Sequence, residues 1–149
     1  MIRKARIADV KIIHKLLLNY AKDGLMLSRS LSELYEGIRD FYVYEDQGDV
    51  VGTVCLQICW EDLAEVRSLA VIEGRGMRGI GRQLVEACLD EAREQGLKRV
   101  FALTYKPGFF EKLGFHLIEK SELPHKIWTD CIKCPKFPEC DELALSIDL

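Results

Sequence analysis

Apolar residues recur at helical spacing in two long stretches of the chain. The first stripe consists of Val10, Ile13, Leu16, Leu17 and Tyr20. The second consists of Ile80, Leu84, Ala87, Cys88 and Ala92. Polar residues lie mainly on the opposite sides, so both stretches predict amphipathic helices. Ser30 or Ser32 is a suitable N-cap for a third, shorter helix.

Alternating and continuous apolar runs predict the strands. A hairpin is predicted from FYVYEDQ and VVGTVCLQICW, joined at Gly48-Asp49, and the second run is apolar enough for a central strand. Further strands are predicted at 2–7, 65–71, 98–104, 115–118 and 143–147. In the 65–71 strand, Glu65, Arg67, Leu69 and Val71 would share one face. A strand meander followed by a strand–helix–strand unit indicates an α+β fold with a mixed sheet.

A glycine-rich turn separates the 65–71 strand from the second long helix. Residues 74–81 contain four of the eleven glycines, together with Arg75 and Arg78. The N-terminus of a helix carries unpaired N–H groups and partial positive charge, so the junction can bind an anion such as a phosphate. The turn fits neither the P-loop pattern nor the first unit of a dinucleotide-binding fold.

Composition narrows the class of protein. The 149 residues suit a single domain, and a net charge of −3 gives no electrostatic footprint for nucleic acid. No apolar run approaches a membrane span, and MIRKARIADV lacks the apolar core of a signal peptide. We therefore expect a cytoplasmic protein that binds neither nucleic acid nor membrane. The oligomeric state stays open, a homodimer included.

Two segments resemble the GNAT acetyltransferase family. LAVIEGRGMRGIGRQLV is similar to the acetyl-CoA motif, in which a strand leads through R/Q-x-x-G-x-G/A into a helix. FFEKLGF, at 109–115, resembles the Y-x-K-x-G-F segment of the family. Gly76 stands where the family has Arg or Gln, and Phe110 stands where it has Tyr. The resemblance covers most of the chain.

The resemblance implies a mostly antiparallel sheet with helices on both faces and a splayed V between two parallel strands. Acetyl-CoA, the expected cosubstrate, would place its pantetheine arm in that wedge. No metal is expected in catalysis. The implied acetyl-CoA-binding residues are Leu69, Ala70, Val71, Gly76, Met77, Arg78, Gly79, Ile80, Gly81, Phe109 and Phe110.

Acetyl transfer to an amine needs a base, donors for the oxyanion and an acid for the leaving thiolate. Glu65 is the candidate base, acting through a water, although a structural ion pair with Arg67 is an equal alternative. The resemblance implies the amide of Leu69 or Val71 as oxyanion donor. Tyr105 is the candidate acid, with a structural hydrogen bond as the alternative.

The acceptor is predicted to be a small amine, specifically an acidic amino acid. Arg67 lies beside Glu65 on the strand, and Arg29 falls on the implied wall of the acceptor site. Both would bind carboxylates, with an ordinary surface arginine as the alternative for Arg29. LxRS, IRDFYV, AEVRSLAV and LTxxxxFFEKLGF resemble short, kinase-less amino-acid N-acetyltransferases that make N-acetylglutamate for arginine biosynthesis. Lys126 would close over this acceptor.

A cysteine-rich loop within the domain, at 121–142, is the last feature. Cys131, Cys134 and Cys140, with His125, would suit Zn²⁺, but a second Cys-x-x-Cys pair is missing, so free thiols are favoured.

Two other functions stay open. One is a GNAT enzyme for another small amine or a protein N-terminus, and the other is a non-catalytic acetyl-CoA-binding module.

Overall fold

A computed structural model describes residues 1–22, 29–72, 79–123 and 142–149. The strands are β1 (Ile2–Lys4), β2 (Phe41–Asp46), β3 (Asp49–Trp60), β4 (Leu63–Val71), β5 (Arg99–Thr104), β6 (His116–Ile118) and β7 (Leu143–Asp148). The helices are α1 (Val10–Lys22), α2 (Leu31–Glu36), α3 (Ile80–Glu94) and α4 (Pro107–Glu111). Short 3-10 turns occupy Ile7–Asp9, Ile38–Asp40 and Lys120–Glu122.

The described strands form one seven-stranded sheet in the order β1-β2-β3-β4-β5-β7-β6. All neighbours are antiparallel except β4 and β5. These two parallel strands pair only at Leu63–Arg99, Ala64–Val100 and Glu65–Phe101. Both strands continue beyond these pairs, to Val71 and Thr104, without pairing to each other, so they diverge there. The predicted α+β fold and its splayed V are therefore confirmed.

The helices cover both faces of the sheet, as expected. On one face α1 and α2 bury Ile13, Leu17 and Leu34 against Phe41 and Val43. On the other face, α3 and α4 pack against Val54 and Leu56 of β3, Val66 of β4 and Leu145 of β7. Val51 to Leu56 of β3 are buried without interruption, which fits a central strand covered on both faces.

Local signals explain where several elements begin and end. Ser30 caps α2 in a capping box with Glu33, and Pro107 opens α4. Gly96 follows α3, and Gly114 follows α4, both with positive φ, where glycine avoids a steric penalty. The hairpin turn lies at Gln47-Gly48, one residue earlier than predicted, because both residues adopt the left-handed conformation.

The predicted single face of β4 is wrong beyond Arg67. Cys55 pairs with Arg67, whereas Thr53 pairs with Ala70, so β4 contains one extra residue. Ser68 lies in this bulge at φ 57°. The bulge inverts the alternation: Ala70 joins the core under α1, and Leu69 and Val71 pack toward α3.

The first strand also differs from its prediction. It ends at Lys4 rather than at residue 7, because Ile7–Asp9 forms a 3-10 turn in which the Asp9 carboxylate accepts a hydrogen bond from the Arg6 amide. No helix within the described ranges is long and apolar enough to cross a membrane.

Candidate active site

Glu65 lies in the middle of the sheet, on the face covered by α1 and α2, where β4 and β5 begin to diverge. Only 8% of this residue is exposed. Its carboxylate forms an ion pair with Arg67, with 3.9 Å between Oε1 and Nη1. The same Nη1 donates a hydrogen bond to Gln57 Oε1 on β3. The carboxylate is therefore buried and paired with Arg67, and this pairing is compatible both with the candidate base and with its structural alternative.

Arg29 directly precedes Ser30, the N-cap of α2, and its side chain reaches the same part of β4. Its Nη1 donates to Ser68 Oγ at 3.4 Å, and its guanidinium stacks over the Phe41 ring at 5.3 Å. Ser68 is adjacent to Arg67 along the strand. The structure thus brings Arg29, Arg67 and Glu65 together, and we call these three residues with Gln57 and Ser68 the β4 polar cluster.

Cys55 lies beneath this cluster, opposite Arg67 on β3. Burial raises the pKa of its thiol to about 11, and the charge of Arg29 works in the opposite direction. The thiol therefore stays protonated near neutral pH, and it adds no negative charge. The cluster holds two guanidiniums and one carboxylate, and the nearby Asp40 carboxylate interacts electrostatically with Arg29 and Cys55. The two guanidiniums are the groups that can bind an anionic ligand.

The open edge of β4 provides backbone groups at Val71, the last residue of the strand. The Ile72 amide donates to Val51 O on β3, so the Val71 peptide groups point to the opposite side, away from β3. Both are engaged by Tyr20 of α1. The Val71 amide donates to Tyr20 Oη at 3.3 Å, and Tyr20 Oη donates to Val71 O at 3.1 Å.

The N-terminus of α3 lies beyond the end of β4. Gly79 is its N-cap, with φ 79°, and a glycine has no side chain that could cap the first amides of the helix, which suit an anion. Phe109 packs on this first turn: a Cβ added to Gly81 would lie 3.3 Å from its ring. Ile80 is buried beneath the turn.

The two phenylalanines predicted to contact acetyl-CoA have different environments. Phe109 is half-buried at the start of α3, next to Val71 and Gly81. Phe110 is buried in the core, in edge-to-face contact with Phe109 and Phe115. Phe109 is thus the residue of this pair that reaches the glycine-rich junction, while Phe110 supports it from below.

Tyr105 is half-buried and directly follows β5, at the diverging end of the wedge. The remaining predicted residues lie outside the described ranges: Gly76, Met77, Arg78, His125, Lys126, Cys131, Cys134 and Cys140. The same holds for most of the predicted 121–142 loop. Among the residues that are described, no three His, Cys, Asp or Glu side chains come close enough to hold a metal ion.

The arrangement combines a buried carboxylate, two cationic groups and an open strand edge near the N-terminus of a helix. Such a site can take a proton from an amine while holding a carboxylate and a phosphate-bearing cosubstrate. Sequence reasoning missed the parts played by Tyr20, Gln57 and Ser68. Tyr20 belongs to the apolar stripe of α1, and nothing in the local pattern indicates its bond to a residue 51 positions away.

Comparison with known proteins identifies relatives along nearly the whole chain. The model of the acetyltransferase (GNAT) family matches residues 15–115. An uncharacterised N-acetyltransferase of Chlorobaculum tepidum is 44% identical over 97% of this chain and 93% of its own length. An amino-acid acetyltransferase of Mycobacterium tuberculosis is 36% identical over 98% of this chain and 85% of its own length.

Solved structures agree in fold. A Mycobacterium tuberculosis protein crystallised with CoA and NLQ superposes with a TM-score of 0.86 at 30% identity, covering 100% of this chain and 99% of that protein. N-acetylglutamate synthase of Neisseria gonorrhoeae, complexed with coenzyme A and N-acetyl-glutamate, gives a TM-score of 0.90 at 28% identity. This chain is covered completely and corresponds to 35% of the synthase.

Proposed function

Because the chain belongs to the GNAT family of acetyltransferases and uses acetyl-CoA as its cosubstrate, we propose that its acceptor is the α-amine of an amino acid, L-glutamate. The product would be N-acetylglutamate, which would serve arginine biosynthesis in the cytoplasm. We also propose that residues 1–149 act as a single domain, since one sheet includes strands from Ile2 to Asp148.

The β4 polar cluster carries the acceptor assignment. Arg67 belongs to β4, and Arg29 bonds to the next residue of that strand, Ser68. Both guanidiniums therefore lie on the face that holds Glu65. A dicarboxylic amino acid brings two carboxylates, and charge-assisted hydrogen bonds to guanidinium groups are the strongest that a side chain offers. The relatives and structures named for amino-acid acetylation support the same acceptor class.

In this proposal Glu65 accepts the proton of the α-ammonium group through a water. The free amine then attacks the carbonyl carbon of the thioester. The new N–C bond forms as the C–S bond breaks. The nitrogen then loses its second proton to water, and CoA leaves as the thiolate or, with a proton from Tyr105 that is later replaced from water, as the thiol. A general base of this kind accelerates a reaction by about 10²- to 10⁴-fold.

Acetyl-CoA fits the opposite side of the site. Its pantetheine arm carries amide groups that can pair with the open edge of β4 at Leu69 and Val71, and its pyrophosphate suits the uncapped N-terminus of α3. Phe109 lines the junction between these two parts. Gly76, Met77, Arg78 and Lys126 stay predictions for the same site.

The experiment measures thiol release from acetyl-CoA with each of the twenty amino acids. We expect turnover with glutamate. In Arg67→Ala and Arg29→Ala, KM for glutamate should rise about 10-fold or more, since a hydrogen bond to a charged group contributes about 1.5–3 kcal/mol. Acetyl-CoA affinity should stay unchanged. Arg93→Ala is the matched control, because Arg93 is an exposed residue paired with Asp90 on α3.

Turnover restricted to cationic amines would contradict the acceptor assignment and make the two arginines structural. Acetyl-CoA binding without turnover on any amine would instead favour the non-catalytic alternative. An unchanged KM for glutamate in both arginine variants would assign carboxylate recognition to other residues.

A further inference from the structure

A tyrosine hydroxyl occupies the backbone groups at the end of β4. Tyr20 lies near the C-terminal end of α1, and its half-buried ring packs against the core under that helix. Its Oη accepts a hydrogen bond from the Val71 amide at 3.3 Å and donates one to Val71 O at 3.1 Å. A hydroxyl group can donate and accept at the same time, so one atom satisfies both peptide groups.

These peptide groups lie on the edge of β4 that faces the wedge. The amide of the next residue, Ile72, already bonds to Val51 on β3. Because successive residues of a strand point their peptide groups to alternate sides, those of Val71 point toward the side of β5. The β5 ladder ends at Glu65, six positions before Val71. The Tyr20 hydroxyl therefore bonds where a paired strand would otherwise lie.

An amide of the pantetheine arm would need the same two groups. An amide presents one C=O and one N–H, as does a neighbouring strand, and the Val71 peptide can serve either the hydroxyl or such a ligand. We propose that Tyr20 is a gating residue: it closes the Val71 edge in the free enzyme and is displaced when acetyl-CoA binds. This inference rests on the proposed placement of acetyl-CoA along β4.

The displacement of Tyr20 lowers the affinity for acetyl-CoA, because the two hydrogen bonds between Tyr20 and Val71 must break before the ligand can bond to Val71. It also protects the open edge, because unpaired strand edges bind other chains. The ring of Tyr20 keeps its apolar contacts with the α1 core when only the hydroxyl is removed. The variant Tyr20→Phe therefore removes the competition between the hydroxyl and acetyl-CoA for Val71 and keeps the packing of the ring.

Tyr20→Phe should bind acetyl-CoA more tightly than the wild type, with Kd lower by about 2- to 10-fold, as expected for the loss of competing neutral hydrogen bonds. Isothermal titration calorimetry measures this change. The melting temperature of the ligand-free variant should fall. Tyr42→Phe is the matched control: it also loses one buried hydroxyl contact, to Glu91 on α3 at 2.7 Å, away from the wedge. It should lower stability and leave Kd unchanged.

An unchanged Kd in Tyr20→Phe would overturn the proposal, because the hydroxyl would then stay bonded to Val71 in the complex. A higher Kd would overturn it too and would make Tyr20 a ligand contact. NMR of ¹³C-labelled tyrosine rings gives an independent readout in the wild type. Acetyl-CoA should shift the Tyr20 signal and leave that of Tyr42 in place, and an unmoved Tyr20 signal would contradict displacement.

Failure of the proposed function is separable from failure of this inference. The Tyr20 experiments need only acetyl-CoA binding, so a lack of glutamate turnover does not affect them. If binding tightens in Tyr20→Phe while no amino acid is acetylated, the gate stands and the acceptor assignment falls.

Discussion

Glu65 and Arg67 form an ion pair, 3.9 Å apart, on the face of β4 that is covered by α1 and α2. Residues two positions apart along a strand point to the same face. Both side chains are largely buried, with 11% of the Glu65 side chain and 15% of the Arg67 side chain exposed. Gln57 on the neighbouring strand accepts a hydrogen bond from the same arginine nitrogen. The candidate base is thus paired with an arginine that Gln57 in turn holds in position.

Replacing Glu65 by Gln should lower kcat by about 10²- to 10⁴-fold, the contribution usual for a general base. Glutamine keeps the shape of the side chain and cannot accept the proton. Steady-state kinetics with acetyl-CoA and glutamate measures the effect, and calorimetry should show unchanged acetyl-CoA affinity. Glu86→Gln, an exposed residue of α3 paired with Arg82, is the control and should keep full activity. A kcat within about twofold of the wild type would make Glu65 a structural partner of Arg67.

The left-handed backbone of Ser68 leads to a second prediction. At φ 57° a β-branched side chain is strained, whereas glycine is not. Ser68→Val should therefore be less stable than Ser68→Gly by about 1–3 kcal/mol in urea unfolding. Both variants lose the hydroxyl contact with Arg29, so their comparison isolates the backbone. Equal stability of the two variants would argue against the bulge.

Asp9 should make folding stability depend on pH. Arg3 donates two hydrogen bonds to its carboxylate, at 2.8 and 3.1 Å, and the Arg6 amide donates a third. The hydrogen bonds from Arg3 hold the pKa of Asp9 below its ordinary value. Since the folded pKa lies below the unfolded one, this stabilisation is present above about pH 4 and is lost as pH falls through the folded pKa.

Asp9→Asn should accordingly cost about 1.5–3 kcal/mol at pH 7, the range for hydrogen bonds to charged groups. The difference from the wild type should shrink as the pH falls below about 4, the unfolded pKa of an aspartate. Urea unfolding at a series of pH values measures both quantities. A difference that stays constant over this range would show that the charge of Asp9 is not the stabilising element.

Gly52 allows α3 to approach the sheet closely. An added Cβ would lie 3.1 Å from Ile80 Cγ2 and 3.1 Å from Leu84 Cδ1, both of which belong to buried side chains. Gly52→Ala should destabilise the protein by about 1–3 kcal/mol through overpacking. Gly108→Ala is the control, because nothing lies within 4 Å of its added Cβ. In thermal unfolding it should be neutral or slightly stabilising, and equal losses in both variants would contradict the close approach.

The sequence alone specified most of the secondary structure. The stripe of α1, the hairpin of β2 and β3 and the start of α4 at Pro107 follow from periodicity, turn chemistry and capping, which act over a few residues. The family resemblance added the parallel pair of strands and the wedge. Strand alternation placed Glu65 and Arg67 on one face, and the resemblance placed Arg29 on the acceptor wall. In the structure Glu65 pairs with Arg67, and Arg29 bonds to the adjacent Ser68.

Only the tertiary structure decided how these parts are oriented. Strict alternation places Leu69 and Val71 with Glu65, but the extra residue at Ser68 turns them to the other face, and that insertion depends on the register with β3. The bond between Tyr20 and Val71 joins residues that no local pattern relates, because it exists only once α1 has packed against the sheet. Short-range preferences therefore determined the elements, and packing between distant segments determined which groups face the site.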